Sequence, residues 1–470
     1  MKTALVWFRR DLRDFDHAAL FHALKENDQV YTVFVFDTDI LDQLSDKADR
    51  RVEFIWESVR ELKQALNRRG SDLIVLHGRA IEELPRLAQQ LRVQAVYSNR
   101  DYEPVAIRRD QLVSTRLKEA GISFHQFKDQ AIFHEDEIMT QAGKSYTVFT
   151  PYKKAVLSKL SDFYLKSYPV DAYIAHLAKV PTTLMPSLES LGFKRTDLKQ
   201  LKLPTGMSGG RFLFDDFMTR MPYYRDRRDF PAIKGSSYLS VHLRFGTVSI
   251  RQLANKAWYS KEEGASTWLN ELIWRDFYFQ ILYFRPDLAE GRAYRREYEH
   301  LNYPNNQVLF EAWCQGQTGY PIVDAAMRQL NNTGYMHNRL RMVTASFLVK
   351  DLLVDWRWGE RYFAEKLIDF DFSANNGGWQ WAASTGCDAQ PYFRIFNPIA
   401  QSRRFDKNGQ FIRQYVPELS ECNDELIHQP WSFSSLQQQM ALDITGQNYP
   451  APIVDHGLQR EKALGLYKKY

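Results

Sequence analysis

Cysteine is scarce in this chain, with Cys314, Cys387 and Cys422 alone among 470 residues and no Cys-x-x-Cys. That excludes a disulfide framework and a thiolate zinc site, and it fits a reducing, cytoplasmic compartment. Long apolar runs are missing too. The N-terminal stretch 4–8 is interrupted by Arg9 and Arg10, and no later segment approaches the roughly 18 apolar residues of a membrane span. A soluble protein with no membrane partner is therefore expected. Glycine is rare at the start: only Gly70, Gly78 and Gly121 occur in the first 130 residues, and none completes a G-x-G-x-x-G, which disfavours a dinucleotide-binding site there. Neither sign of charge dominates. Lys plus Arg number 62 against 57 Asp plus Glu, a net +5 that suits an anionic partner without requiring one.

What is abundant is aromatic: 14% of residues, with eleven Trp, nine of them from Trp258 onward. At about 150 residues per domain the length predicts two or three domains. In the first 130 residues, β-branched or aromatic runs at 3–8, 30–36, 72–76, 95–97 and 123–127 alternate with helical stretches at 17–24, 50–67, 80–91 and 106–120. This is the pattern of an α/β domain with a doubly wound parallel sheet, whose ligands bind beyond the carboxyl ends of the strands. Residues 131–204 read as an interdomain linker, where proline becomes frequent and periodicity is lost. From 205 to 470 strand signals disappear and a larger all-helical domain is expected. Helices are predicted at 267–284, stopped by Pro286, and at 321–330, which opens on proline and ends near Gly334. A buried helix is predicted over 339–356, which is apolar on nearly every face.

Five clusters in the second half could carry chemistry. Gly235-Ser236-Ser237-Tyr238-Leu239-Ser240 at a helix start is either an ordinary N-cap or an anion site. The run from Asp369 through Asp371, Asn375 and Asn376 to Trp379 and Trp381 could be a capping cluster, a Mg²⁺ site or a set of polar contacts to a heterocycle. It supplies too few oxygens for a hard cation, so no metal is expected. Trp379 and Trp381, two apart on a helix, point to nearly opposite faces. Glu271, Trp274, Arg275 and Tyr278 share one helical face, a poor core pattern and a good wall for a flat, polar-edged ligand. Asn338 and Met342 are spaced i, i+4, and a buried amide there needs partners. Arg339, Arg341, Arg394, Arg403, Arg404 and Lys407, interleaved with Tyr392, Phe393, Phe396 and Phe405, suit either a solvated face or a phosphate-tracking surface with stacking platforms.

Together with the opening Trp7-Phe8-Arg9-Arg10-Asp11-Leu12-Arg13, several of these segments resemble the DNA photolyase/cryptochrome family. The others are Thr318-Gly319-Tyr320-Pro321-Ile322-Val323-Asp324-Ala325, Met336-His337-Asn338-Arg339, the run from Asn375 to Trp381, and Arg394-Ile395-Phe396-Asn397-Pro398. The resemblance spans the whole chain and is nearest to microbial class I cyclobutane pyrimidine dimer photolyases. It implies an antenna-chromophore domain at 1–130, the linker, and an FAD- and DNA-binding catalytic domain at 205–470. It also implies light-driven repair, in which excited reduced FAD passes an electron to a dimer flipped out of damaged single- or double-stranded DNA, by a monomer.

The resemblance assigns residues as follows. Tyr224, Ser236, Ser237, Tyr238, Leu239 and Ser240 lie on the phosphate side of FAD, and Trp268, Asp369, Phe370 and Asp371 around its ring and ribose. Asn375 faces flavin N5, and Asn338 also borders the cofactor. Glu271, Trp274, Asn338, Met342 and Trp381 form the dimer pocket. Arg228, Arg275, Tyr278, Arg339, Arg341 and Arg394 join that pocket in contacting DNA. Trp379 and Trp356 belong to an electron relay whose outermost indole is replaced by Tyr303, for which another aromatic such as Trp358 could substitute functionally. Phe370 stands where relatives commonly carry glycine. In the antenna domain Arg51, Asp101 and Glu103 resemble deazaflavin-binding relatives, while Val105-Ala106 replaces the Asn-Glu pair of folate-binding ones. A deazaflavin-type antenna is thus expected first and methenyltetrahydrofolate second. The alternatives are a blue-light-signalling cryptochrome, repair of six-four photoproducts, and a helical nucleic-acid-binding module without photochemistry. The second is disfavoured because histidines are absent at 338 and 342.

Overall fold

The computed structural model describes residues 1–432 and 449–469. Five parallel strands form one sheet: β1 Thr3–Phe8, β2 Gln29–Asp37, β3 Leu73–Gly78, β4 Ala95–Asn99 and β5 Ser123–Phe127. Their order is β3-β2-β1-β4-β5, and Val6 of β1 lies opposite both Thr32 and Tyr97. The central strands are apolar on both faces because both are covered. Leu5, Trp7, Val33, Val35 and Val96 pack with Ile81, Leu84, Val113 and Leu117 of the Ala80–Gln90 and Pro104–Glu119 helices. The Ala18–Glu26 helix packs on β1 and β4. Strand order reverses between β1 and β4, which makes the carboxyl ends of those two strands the switch point of the sheet.

The chain divides into two compact units: Met1–Tyr146, Thr150–Pro222 and Ser237–Phe284 in the first, and Thr147–Phe149, Tyr223–Ser236 and Arg285–Tyr470 in the second. The first unit holds the sheet together with the helices Gly206–Met218, Ser240–Phe245, Ile250–Tyr259 and Glu263–Phe284. Gly246 (φ +63°) closes the Ser240–Phe245 helix so near the segment after β1 that a Cβ there would lie 2.2 Å from the Arg10 carbonyl. Leu12 N donates to Phe245 O at 3.1 Å across the same approach.

The core of the second unit is built around three buried indoles, Trp313, Trp356 and Trp379, with Val323, Met327, Leu340, Phe347, Leu348 and Phe363. Its principal helices are Gln307–Gln315, Pro321–Thr333, Asn338–Ser346, Trp356–Lys366, Phe372–Ala382, Pro398–Phe405 and His456–Tyr467. The single helix expected over 339–356 does not form. The α-helix stops at Ser346, Phe347–Asp351 makes a π turn, Leu353 takes a left-handed φ of +53°, and a new helix starts at Trp356. Asp355 caps that helix by accepting from Arg357 N at 2.9 Å. Lys350 and Asp351 in the π turn are fully buried. Lys350 Nζ donates to Ser384 Oγ at 2.8 Å, and an Asp351 carboxylate oxygen lies 2.5 Å from His456 Nδ1. A continuous apolar pattern reports burial on all sides, and it does so equally for an interrupted helix. Among the described residues no helix is long and apolar enough to cross a membrane.

Candidate active site

The polar residues after β1 are occupied in holding strand ends together. Arg9 grips both carboxylate oxygens of Asp110 (2.6 and 2.7 Å) and also donates to Asn99 O. Arg10 bridges Asp101 and Glu103, each at 3.0 Å. His17 lies 3.0 Å from Asp11, and Arg13 is 2.6 Å from the buried Asp129, which Arg251 also meets at 2.7 Å. Of the expected antenna residues, Asp101 and Glu103 are brought together by Arg10, and Glu103 also accepts from Arg244 at 2.6 Å. Although burial opposes it, the guanidinium groups around Asp101, Arg10 first, hold its carboxyl down at about 2. Arg51 pairs with Asp49 at 2.5 Å.

The Glu263–Phe284 helix buries most of its surface, including Trp268, Leu272, Ile273, Phe277 and Phe279, and leaves Glu271, Trp274, Arg275 and Tyr278 half-buried on one stripe. Trp274 and Tyr278 stack with ring centroids 5.6 Å apart, so the stripe is a preformed aromatic ledge beside a carboxylate. Arg275 departs from it: its guanidinium lies 4.5 Å over Phe279 and donates to the carbonyls of Gln130 and Leu243. Trp268 lies deeper, against Phe217 at 4.8 Å and Phe214 at 6.1 Å. In the loop 235–240, Gly235 passes so close to the Arg227 backbone that a Cβ would sit 2.3 Å from its carbonyl oxygen. Tyr238 takes a left-handed φ of +57°, and Ser240 opens a six-residue helix. Tyr224 is buried with Arg228 above its ring at 5.7 Å, and Arg228 lies 3.9 Å from Asp229.

In the second unit, Asn338 begins the Asn338–Ser346 helix and is exposed, which corrects the expectation of a buried amide; Met342 one turn later is half-buried. The chain turns into that helix at His337, which caps it by accepting from Arg339 N, and this leaves Asn338 on the outside. Arg339 reaches Asp229 at 2.8 Å and lies over Phe405 at 4.5 Å. Arg341 holds both oxygens of Asp369 at 2.8 and 3.1 Å. Asp371 caps the Phe372–Ala382 helix, accepting from Ala374 N at 3.3 Å, and Phe370 between the two aspartates is half-buried. Asn375 donates its amide to Glu360 O at 3.0 Å, and among the described residues no donor reaches its Oδ1. Burial pushes the Glu360 carboxyl up to about 7, against the pull of the Asn376 amide. A Cβ on Gly378 would meet nothing within 4 Å, so this side of the helix is open. An amide fixed by its NH₂ with its oxygen available, next to an open glycine surface, fits the edge of a flat heterocycle with a ring N–H.

The opposite faces expected for the two indoles are realised. Trp379 is buried and Trp381 half-buried, with Phe396 6.4 Å away. Trp379 can approach the Trp356–Lys366 helix closely because residue 359 is glycine: a Cβ there would lie 2.1 Å from its ring. Trp356 is buried under Arg357 at 4.8 Å, and buried Tyr303 shares a 3.2 Å contact with the Tyr467 hydroxyl. Arg394, Arg403, Arg404 and Lys407 are exposed and, among the described residues, carry no ion pair. Among the described residues no group of three or more His, Cys, Asp or Glu side chains could hold a metal ion.

Sequence reasoning raised Asn376 only as one amide of the polar run and gave no role to Gly359 or Glu360, which nothing local distinguishes from an ordinary helix surface.

An open, doubly wound sheet unit joined to a helical unit with a polar helix N-terminus and indoles on both sides of one helix defines a class of two-part α/β and all-α proteins. Comparison identifies the family within it. Residues 4–172 match the DNA photolyase family, and residues 268–469 match the FAD binding domain of DNA photolyase. A deoxyribodipyrimidine photo-lyase from Vibrio cholerae is 42% identical, covering 99% of both chains. The crystal structure of a bacterial class III photolyase from Agrobacterium tumefaciens superposes with a TM-score of 0.90 at 32% identity, over 100% of this chain and 98% of that one. An archaeal photolyase from Sulfolobus tokodaii, crystallised with two FAD molecules, gives 0.82 at 34% identity over 100% of both. The chain belongs to the DNA photolyase family.

Proposed function

We propose that this protein splits cyclobutane pyrimidine dimers in ultraviolet-damaged DNA, single- or double-stranded, using light and FAD. The observation that carries the reading is the half-buried Glu271–Trp274–Tyr278 ledge on an otherwise buried helix. Bound reduced FAD supplies the light-excited electron that opens the ring and takes it back afterwards. Tyr224 and the segment Ser236–Ser237–Tyr238–Leu239–Ser240 would hold its phosphates. Trp268, Asp369, Phe370, Asp371 and Asn338 would surround it, with the Asn375 oxygen accepting from its ring N–H.

Extruding a dimer from the stack costs a few kcal/mol, least where damage has already weakened pairing. Stacking on Trp274 and Trp381 offsets this, at roughly 1–3 kcal/mol per base. In this reading Glu271 and Asn338 hydrogen-bond the pyrimidine edges, and the polarisable Met342 fills the space beside them. Exposed Arg394, Arg403, Arg404 and Lys407, together with Arg228, Arg339 and Arg341, track phosphates. A second chromophore of deazaflavin type, with methenyltetrahydrofolate second, would bind by Arg51, Asp101 and Glu103 and share the last two with Arg10. We read the protein as a cytoplasmic monomer. Functionally it divides into an antenna segment 1–130, a connector 131–204 and a catalytic segment 205–470, although helices of the last segment pack in both compact units.

The test is recovery of thymine absorbance when irradiated oligothymidine is exposed to blue light with the reduced holoprotein. Glu271→Ala should lower repair yield far more than DNA affinity. No recovery with flavin bound and reduced would instead support blue-light signalling.

A further inference from the structure

Trp379 has an indole neighbour outside the relay expected from the family. Its ring meets Trp313 edge-on, with centroids 6.0 Å apart. Trp313 stacks on Phe310 at 5.9 Å, and Phe310 contacts Trp358 at 5.2 Å. Trp313 is fully buried and its indole N–H donates to Thr344 O at 3.1 Å, whereas Trp358 is half-buried. Aromatic contacts thus run without a gap from the buried Trp379 to a solvent-reaching indole.

The Tyr303 end is different. Burial holds the Tyr303 phenol well above its ordinary value, its contact is the Tyr467 hydroxyl, and that hydroxyl donates to the Ala383 carbonyl. A phenol must lose its proton as it is oxidised, and among the described residues no base stands in this chain of hydrogen bonds. Tyr362, which also touches Trp313 at 5.7 Å, has the same difficulty: its hydroxyl donates to the carbonyl oxygens of Asn331 and Cys314. A carbonyl oxygen is too weak a base to take either proton. Trp358 can release its N–H proton to water.

We propose that Trp313 and Trp358 form an electron-entry branch, by which the protein re-reduces its oxidised flavin through Trp358 and not through Tyr303. The inference rests on the flavin chemistry proposed above. In each of two light-driven rounds Trp379 gives one electron to the isoalloxazine and is refilled by Trp313, which is refilled by Trp358; the two electrons, with a proton from water, complete the reduction. The Trp358 radical cation loses its N–H proton to water. A thiol reductant from solution then donates a hydrogen atom, restoring the indole and leaving a thiyl radical. Phe310 bridges the last two stations without itself being oxidised.

The experiment uses holoprotein with oxidised flavin, illuminated with a nitrone spin trap and no thiol, followed by peptide mass spectrometry and by transient absorption of the tryptophan radical. The trap adduct should fall on Trp358. Trp358→Phe should remove that adduct and shorten the radical lifetime several-fold, while Tyr303→Phe leaves both unchanged. Trp313→Phe should act like Trp358→Phe; because Trp313 lies in the core, the surface variant decides if the core variant does not fold. An adduct at Tyr303 or Trp356, or an unchanged lifetime in Trp358→Phe, overturns the proposal. Repair by chemically pre-reduced protein is the control: it should survive in every branch variant, and its loss in the parent would count against the repair reading instead.

Discussion

Arg9, Arg10 and Arg13 after β1 all have fixed carboxylate partners, whereas Arg394, Arg403, Arg404 and Lys407 of the second unit stand exposed and, among the described residues, have none. The contrast follows from desolvation. A guanidinium removed from water needs a countercharge in place, so the strand-end arginines come with Asp110, Asp101, Glu103 and Asp129. The exposed set keeps its hydration and can exchange it for a phosphate. Arginine count alone therefore says little about nucleic acid, because the first set builds a fold and only the second offers charge to a partner.

The comparison is broken most severely by removing a countercharge. Asp129→Asn leaves Arg13 and Arg251 buried beside a neutral amide, and the unfolding free energy should fall by about 3–5 kcal/mol in urea titration. A loss below about 1 kcal/mol would mean that Asp16 alone suffices for Arg251. Next in size, Trp274→Ala should weaken binding of dimer-containing DNA by about 1–3 kcal/mol and leave undamaged DNA binding unchanged, as read by fluorescence titration. The double variant Arg403→Ala, Lys407→Ala should leave stability within about 0.5 kcal/mol. It should flatten the log–log salt dependence of DNA binding by about 0.9 per removed phosphate contact. An unchanged slope would remove this face from the DNA contact.

Separate from these is a pair of opposed pH slopes confined to the first unit. Asp101, held at about 2, contributes stability that is present above the ordinary carboxylate value and lost as pH falls towards 2. Buried Asp276, raised to about 6, acts in reverse: its contribution is present below the ordinary value and lost as pH rises through 6. Asp276→Asn should abolish the second slope in urea titrations between pH 4 and 6. Arg403→Ala should leave both slopes intact.

Much of the sheet was legible because its central strands are β-branched or aromatic and mostly buried, while the edge strand Ser123–Phe127 showed only as an aromatic run. Ser123–Phe127 and Thr3–Phe8 begin and end where the residue pattern places them. The ledge at 271–278 was legible for the opposite reason, since charge and indole on one stripe contradict a core. The interruption at 347–355 was not, because Phe347, Leu348, Val349, Leu352 and Val354 are buried whether or not the helix continues. The exposure of Asn338 was hidden likewise, since helical spacing fixes an angle about an axis and not which side meets solvent. Nor could spacing separate Arg275, turned towards Gln130 and Leu243, from its neighbours on the same face.

Gly359 brings these threads to a single hydrogen atom. A methyl group there would have to displace Trp379, whose ring occupies that space. Tunnelling probability decays exponentially with separation, so in the proposed electron branch a retreat of even a fraction of an ångström would slow every hop that begins at this indole. On that proposal the missing side chain at Gly359 acts as a spacer of zero thickness, setting a rate constant by what the helix omits.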